Sequence, residues 1–202
     1  MGLSDLTIQL IAFRVVASLI LIGVHGGIVA ATAVYLGDKG PKYDGRLTIA
    51  PSNHIDLVGT ISLVICGLGW SKPVELDPRL FRMKFLGTIL VILSGFVGLL
   101  LMASVFDALI VPALTTLPFT AGLVTAAFLR AAGNMSVWFA LFSLLPIPPL
   151  TGWTLLKLLN IRISTFAYWV LCAMLIVAIA TGLVSQVLGP VHAVLSKAIL
   201  VV

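Results

Sequence analysis

Four long apolar runs, at about 6–36, 83–112, 119–145 and 164–188, hold almost no charge. They constrain this chain more than any other feature. A helix crosses a bilayer with about 20 largely apolar residues. Inside the bilayer every backbone N–H and C=O must find a partner within the protein, so such runs fold as helices. Composition points the same way. Only 9% of the 202 residues are charged and 60% are hydrophobic, with a mean hydropathy of +1.20, whereas a soluble domain carries roughly 25% charged residues. So few charges cannot cover a surface that faces water. The expected fold class is an all-α polytopic membrane protein, with residues 1–202 forming one integral membrane domain.

The connections fix a topology. A fifth apolar run, from Leu57 to Trp70, is short and glycine-rich, with Lys39, Lys42 and Arg46 before it and Lys72, Arg79, Arg82 and Lys84 after it. If it crossed, two positive loops would lie on opposite faces. A re-entrant or hairpin region over 37–82 avoids this, and Leu47-Thr48-Ile49 alternates weakly, as a short strand inside it would. Four spans place nine of the twelve Lys and Arg on one side, Lys157 and Arg162 included. The positive-inside rule makes that side cytoplasmic, with both termini opposite. The net charge of +5 therefore sits in loops, and nucleic acid is not an expected partner, whereas membrane lipids are. Trp70, Trp153 and Trp169 fall near segment ends, as interfacial anchors do. Residues 189–202 read as an amphipathic interfacial tail, with His192 solvated or interfacial. Cys66 and Cys172 lie in apolar stretches and read as small packing residues. The first run begins after Asp5 without a basic leader and is expected to be retained. No internal repeat or linker is visible.

Polar groups inside the spans are the candidates for a role, because ionisable groups at membrane depth face protein or a water-filled cavity. Arg14, Ser18, His25 and Thr32 share one face of the first span at about 100° per residue, and that face points inward or toward a partner. Arg130 lies within the third span and Asp107 near the outer end of the second. Pairing of Asp107 with Arg14 or Arg130 would relieve both charges; the alternative is docking of another membrane subunit. Gly26 and Gly27 let another helix approach closely, within this chain or from outside it. The partner-binding candidates are thus Arg14, Ser18, His25, Gly26, Gly27, Asp107 and Arg130.

An ordered set of short motifs carries a resemblance. His25-Gly26-Gly27-Ile28-Val29 is followed by Leu36-Gly37-Asp38, Gly45-Arg46-Leu47-Thr48, His54-Ile55-Asp56 and Gly59-Thr60. Further on come Gly69-Trp70-Ser71-Lys72-Pro73-Val74 and Leu144-Leu145-Pro146-Ile147-Pro148-Pro149-Leu150-Thr151-Gly152. This series, covering 25–157, resembles the bacterial branch of the site-2 protease family of intramembrane zinc metalloproteases. That family has an H-E-x-x-H helix, a Leu-Gly-Asp turn, a Gly-Arg-Leu-Thr hairpin, a His-Ile-Asp segment and an L-L-P-I-P-P-L-D-G block. The resemblance implies a site-2-protease-like helical core with a small membrane-associated hairpin, in a bacterial inner membrane.

The same alignment implies a degenerate member. In H-E-x-x-H the two histidines, at i and i+4, hold zinc and the glutamate is the general base; the aspartate of P-P-L-D-G is the third ligand. Here His25 remains, while Gly26 stands at the base position, Val29 at the second histidine and Thr151 at the aspartate. The family's A-G-P-x-x-N motif reads Ser94-Gly95-Phe96-Val97-Gly98-Leu99. A catalytic zinc generally needs three protein ligands and an open site. No catalytic residue, metal or other cofactor is therefore expected. A rebuilt site from His25, His54 and Asp56 requires the hairpin to fold back on the first span, and zinc enters only on that alternative. Pro146, Pro148 and Pro149 break the third span.

The resemblance and the missing donors together favour a pseudoprotease. Such a chain would act as a scaffold or accessory subunit binding transmembrane helices of a larger membrane complex, respiratory or photosynthetic assemblies being examples. The alternatives are a zinc metalloprotease with an altered ligand set, and a small transporter or channel. Against the last stand the lack of an inverted repeat and of an acidic pair at mid-depth.

Overall fold

The structure is a computed structural model, and it describes residues 7–159, 161 and 163–200. Asp5, Arg162 and the last two positions of the tail lie outside the described residues. Among those described, the regular structure is helix alone. The chain is an all-α polytopic membrane protein.

The first helix, α1 (Ile8–Leu36), starts on Thr7, whose hydroxyl accepts from Leu10 N at 3.1 Å. It ends at Gly37, where φ is 123° and the N–H groups of Gly37 and Asp38 both donate to Ala33 O. A positive φ of this kind suits glycine. After the single turn of α2 (Gly40–Tyr43), the chain runs to Asp56 with one 3-10 turn, Pro51–Asn53, as its only regular structure. There the carboxylate caps α3 (Leu57–Cys66) by accepting from Gly59 N at 2.7 Å.

At ten residues α3 is about 15 Å long, half the hydrocarbon thickness. Its far end meets α1: Arg14 Nη1 donates to Val64 O and Ile65 O, at 3.2 and 2.7 Å. A cation on the last carbonyls of a helix also complements its dipole. The chain then turns back, and Lys72 N donates to His54 O at 2.7 Å, so the two legs of the excursion are tied together at its base. The expected strand at Leu47-Thr48-Ile49 does not form, and no strand is present among the described residues. The reason is its neighbour: the segment lies on helix α1, whose backbone is already bonded to itself and offers no ladder.

The remaining helices are α4 (Lys84–Ala108), α5 (Ile110–Thr116), α6 (Phe119–Ser143), α7 (Trp153–Leu158), α8 (Thr165–Ala180) and α9 (Leu183–Ile199). Among the described residues three units are long and apolar enough to cross a membrane: Ile8–Leu36, Lys84–Thr116 and Phe119–Ser143. The fourth predicted span, 164–188, is not one straight helix. The chain bends by 68° between α8 and α9 at Gly182, where φ is 76°. Nor does a separate tail start at 189, since α9 continues to Ile199. His192 is not a solvated residue of such a tail but stacks on Trp138, with ring centroids 4.1 Å apart.

The main core joins α1, α3, α4, α5 and α6 through Leu21, Ile22, Leu63, Leu99, Ile110 and Phe139. A second cluster gathers Trp70, Trp138, Phe142, Leu150 and Leu175. Trp70 is thus a core residue rather than an interfacial anchor, whereas Trp169 is exposed.

The basic-loop end is held by side chains bonding to backbone. Buried Asp38 accepts from Gly40 N at 2.9 Å and from Asp77 N at 3.0 Å, joining the end of α1 to the approach to α4. Arg46 donates to Asn53 O at 2.6 Å and to Pro73 O at 3.4 Å. Replacing Asp38 by Ala leaves two N–H groups without their acceptor, at about 1–3 kcal/mol for each that stays buried. Unfolding in mixed micelles is therefore expected to show a loss of that order for Asp38→Ala; an unchanged midpoint would refute the tie.

Candidate functional site

The site is built on the face of α1 that carries Gly23, Gly26 and Gly27. The backbone of Thr48 and Ile49 lies directly on it: a Cβ at Gly27 would come within 2.8 Å of Thr48 O, and one at Gly23 would strike Ile49 O. The helix-side contact expected at Gly26-Gly27 is therefore internal, made by this chain's own extended segment. One turn along, a Cβ at Gly26 would fall inside the imidazole of His54.

His54 is fully buried. Its Nε2 lies 2.8 Å from Thr48 O; a carbonyl only accepts, so Nε2 carries the proton. Nδ1 is left as a bare lone pair, buried and without a hydrogen-bond partner. Burial pushes the His54 pKa down, the bond to the Thr48 carbonyl opposes that fall, and the Arg46 charge adds to it. Asp56, named beside it in the sequence, is occupied as the cap of α3 and lines the neighbouring cleft.

His25 is also buried. Its Nδ1 lies 3.1 Å from Ser71 Oγ, and its Nε2 lies 3.5 Å from Thr151 Oγ1 across 126 positions of sequence. Phe139 packs against the ring, with centroids 5.0 Å apart. On the α4 side a Cβ at Gly95 would come within 2.9 Å of both His25 Nε2 and Val29 Cγ2. The fold thus brings His25, Val29 and Thr151 to one place. The space beside His25, lined by Trp70, Ser71, Phe139, Ser143, Leu150 and Thr151, is about 10 Å³, roughly the minimum for one water. A larger cleft of about 480 Å³, with Arg46, Asp56, Lys72, Glu75, Lys157 and Tyr168 in its walls, reaches Val29 and Thr151 from the basic-loop end.

The other predicted residues separate. Ser18 is buried and bonds within its own helix to Val15 O at 2.8 Å. Ser18, His25, Gly26 and Gly27 thus face the interior of this chain rather than a surface open to a partner. Arg14, Asp107 and Arg130 line a different cavity, near the N-terminal half of α1. Ser71 and Phe139 were not singled out by sequence reasoning. Ser71 sits in a matched motif, but nothing in its spacing points to His25; it arrives there on the leg of chain that turns back after α3.

Comparison with known proteins agrees with the motif series. The chain is 31% identical over 158 residues to "Putative zinc metalloprotease YwhC" of Bacillus subtilis (strain 168), a match covering 74% of this chain and 70% of that protein. The chain belongs to the site-2 protease family. No family model matches it, and no solved structure does.

Zinc is the metal this family implies, and the residues around His25 do not fit it. Its neighbours are two hydroxyls, a valine methyl and a phenyl ring. Among the described residues no three His, Cys, Asp or Glu side chains gather as metal ligands. A catalytic zinc takes three such donors. What the arrangement does chemically is hold one imidazole between two hydroxyls, with a second imidazole filling the space over Gly26.

The contact between Gly26 and His54 has a direct test. Gly26→Ala drives a methyl into the ring and is expected to cost about 1–3 kcal/mol by overpacking. In a His54→Ala background the same change has room, so the two effects should couple by about 0.5 kcal/mol or more in a double-mutant cycle of unfolding free energies. Strict additivity would show that the ring does not occupy that space.

Proposed function

We propose that this chain is a non-catalytic member of the site-2 protease family. On this reading it binds transmembrane helices of other membrane proteins, as a scaffold or accessory subunit of a larger membrane complex. It sits in the bacterial cytoplasmic membrane with its basic loops inside. The observation that supports this reading is the environment of His25: Thr151 and Val29 stand at the family's other two ligand positions. Neither supplies the carboxylate or imidazole that zinc would take there. The base position is glycine, and the imidazole of His54 lies where a side chain would project.

The cleft reaching Val29 and Thr151 remains, at about 480 Å³. Its walls are part apolar and part charged, as suits a peptide segment leaving the bilayer. A chain that keeps the cleft without a cutting centre holds what it binds.

A second reading has an observation of its own. His54 Nδ1 is a buried lone pair without a partner, and a buried group of that kind calls for an explanation such as a missing ion. The relative's description as a zinc metalloprotease favours the same alternative, an enzyme with an altered ligand set.

The readings separate in one set of measurements on the full chain purified from membranes. Metal analysis is expected to find well under one zinc per chain. A photo-crosslinking residue at Trp153, on the cleft wall, should capture a membrane segment of another protein and leave it uncut. Stoichiometric zinc, together with chelator-sensitive cleavage that His25→Ala abolishes, would overturn the non-catalytic reading.

A further inference from the structure

At the end of the bundle away from the basic loops, a cavity of about 700 Å³ opens between α1, α6, α9 and the junction of α4 with α5. Arg14, Arg130 and Lys197 bring three positive charges to its wall against one negative charge, that of Asp107. Asn134 and Ser196 add neutral polar groups, and Leu10, Ile110, Leu129 and Leu200 supply apolar surface. We propose that this cavity binds an anionic lipid, with its phosphate among the cations and an acyl chain along the leucines.

Three arguments carry the assignment. The first is charge. Arg130 and Lys197 are exposed cations on this wall, and cations next to lipid demand counter-charge. Arg130 lies midway along α6, is exposed, and makes no hydrogen bond or ion pair among the described residues. The guanidinium of Arg14 already bonds to Val64 O and Ile65 O, which fixes it in place at the wall.

The second argument is depth. Arg14 and Asp107 lie roughly 33 and 35 Å along their helices from the basic-loop ends at Leu36 and Lys84, at about 1.5 Å per residue. That slightly exceeds a hydrocarbon core of about 30 Å, and it puts the charges where a headgroup of the opposite leaflet would sit.

The third is size. A helix of about 10 Å diameter would fit only about six residues of its length into 700 Å³. A docked transmembrane helix is therefore a poor occupant, while a headgroup with part of one chain fills such a volume.

The test uses the full chain in detergent, read by native mass spectrometry. Phosphatidylglycerol and phosphatidylcholine of matched chains are added at equal concentration. The anionic lipid is expected to be retained in preference, and Arg130→Gln and Lys197→Gln should each cut the preference about fivefold. Both side chains are exposed, so both variants should fold; circular dichroism checks this. Lys84→Gln, at the other end of α4, should leave the preference intact. Inorganic phosphate at millimolar concentration should not displace the lipid. Equal retention of the two lipids would overturn the proposal, as would a preference untouched by the double variant. Displacement by phosphate alone would mean a site for a free anion, and capture of an acidic partner helix in place of lipid would mean a protein interface; either result also overturns it.

Discussion

The structure depends on one contact: the segment from Thr48 to His54, extended apart from a 3-10 turn at Pro51–Asn53, laid against the glycine face of α1. Irregular backbone survives at membrane depth only where protein covers it, because lipid offers no hydrogen bonds. A side chain at Gly23, Gly26 or Gly27 would push the segment off the helix. With the segment seated, Arg46 reaches the carbonyls of Asn53 and Pro73, and His54 O accepts from Lys72 N. Those bonds tie together the two legs of the chain on either side of α3. The return leg then passes His25 and presents Ser71 to it. The geometry of the site is therefore a consequence of how this segment is held.

Much of this was legible in the sequence. Low charge and long apolar runs give the class, and three of the four long runs correspond to continuous helical units. The motif series points to the family, and the ligand set that this resemblance implies places His25, Val29 and Thr151 together. The misses share a physical cause. The break at Gly182 comes from a single left-handed residue inside an apolar run, and hydropathy does not register backbone dihedrals. The alternating Leu47-Thr48-Ile49 has strand periodicity, but periodicity does not say whether a partner strand exists. Trp70 stands near a segment end, where an interfacial anchor is expected, yet it packs against Gly59, whose missing side chain makes the room.

His54 shows where pattern reading stops. In the sequence it is one residue of a matched segment, with no link to Gly26 beyond belonging to the same series. The link is steric and exists only once the chain has folded back. The polar cavity at the opposite end is the converse case. Arg14, Asp107 and Arg130 were visible as costly charges, but Lys197 joins them only because α9 runs on past 189 and returns to the bundle.

The family residues in this chain sort by what their loss would cost the fold. Asp38, Arg46 and Asp56 each bond to backbone groups, and removing any of them leaves orphaned donors or acceptors at a cost of about 1–3 kcal/mol for each that is buried. The three ligand and base positions carry no such debt. Val29 is buried among Ala33, Leu76, Phe81 and Val91, where an aliphatic side chain is at home. The Thr151 hydroxyl still faces His25. Glycine at 26 leaves a space that the His54 ring fills. Packing and hydrogen bonding inside a low-dielectric core therefore suffice to account for the framework residues found here. Zinc chemistry would have required others, and the proposed non-catalytic reading rests on that difference.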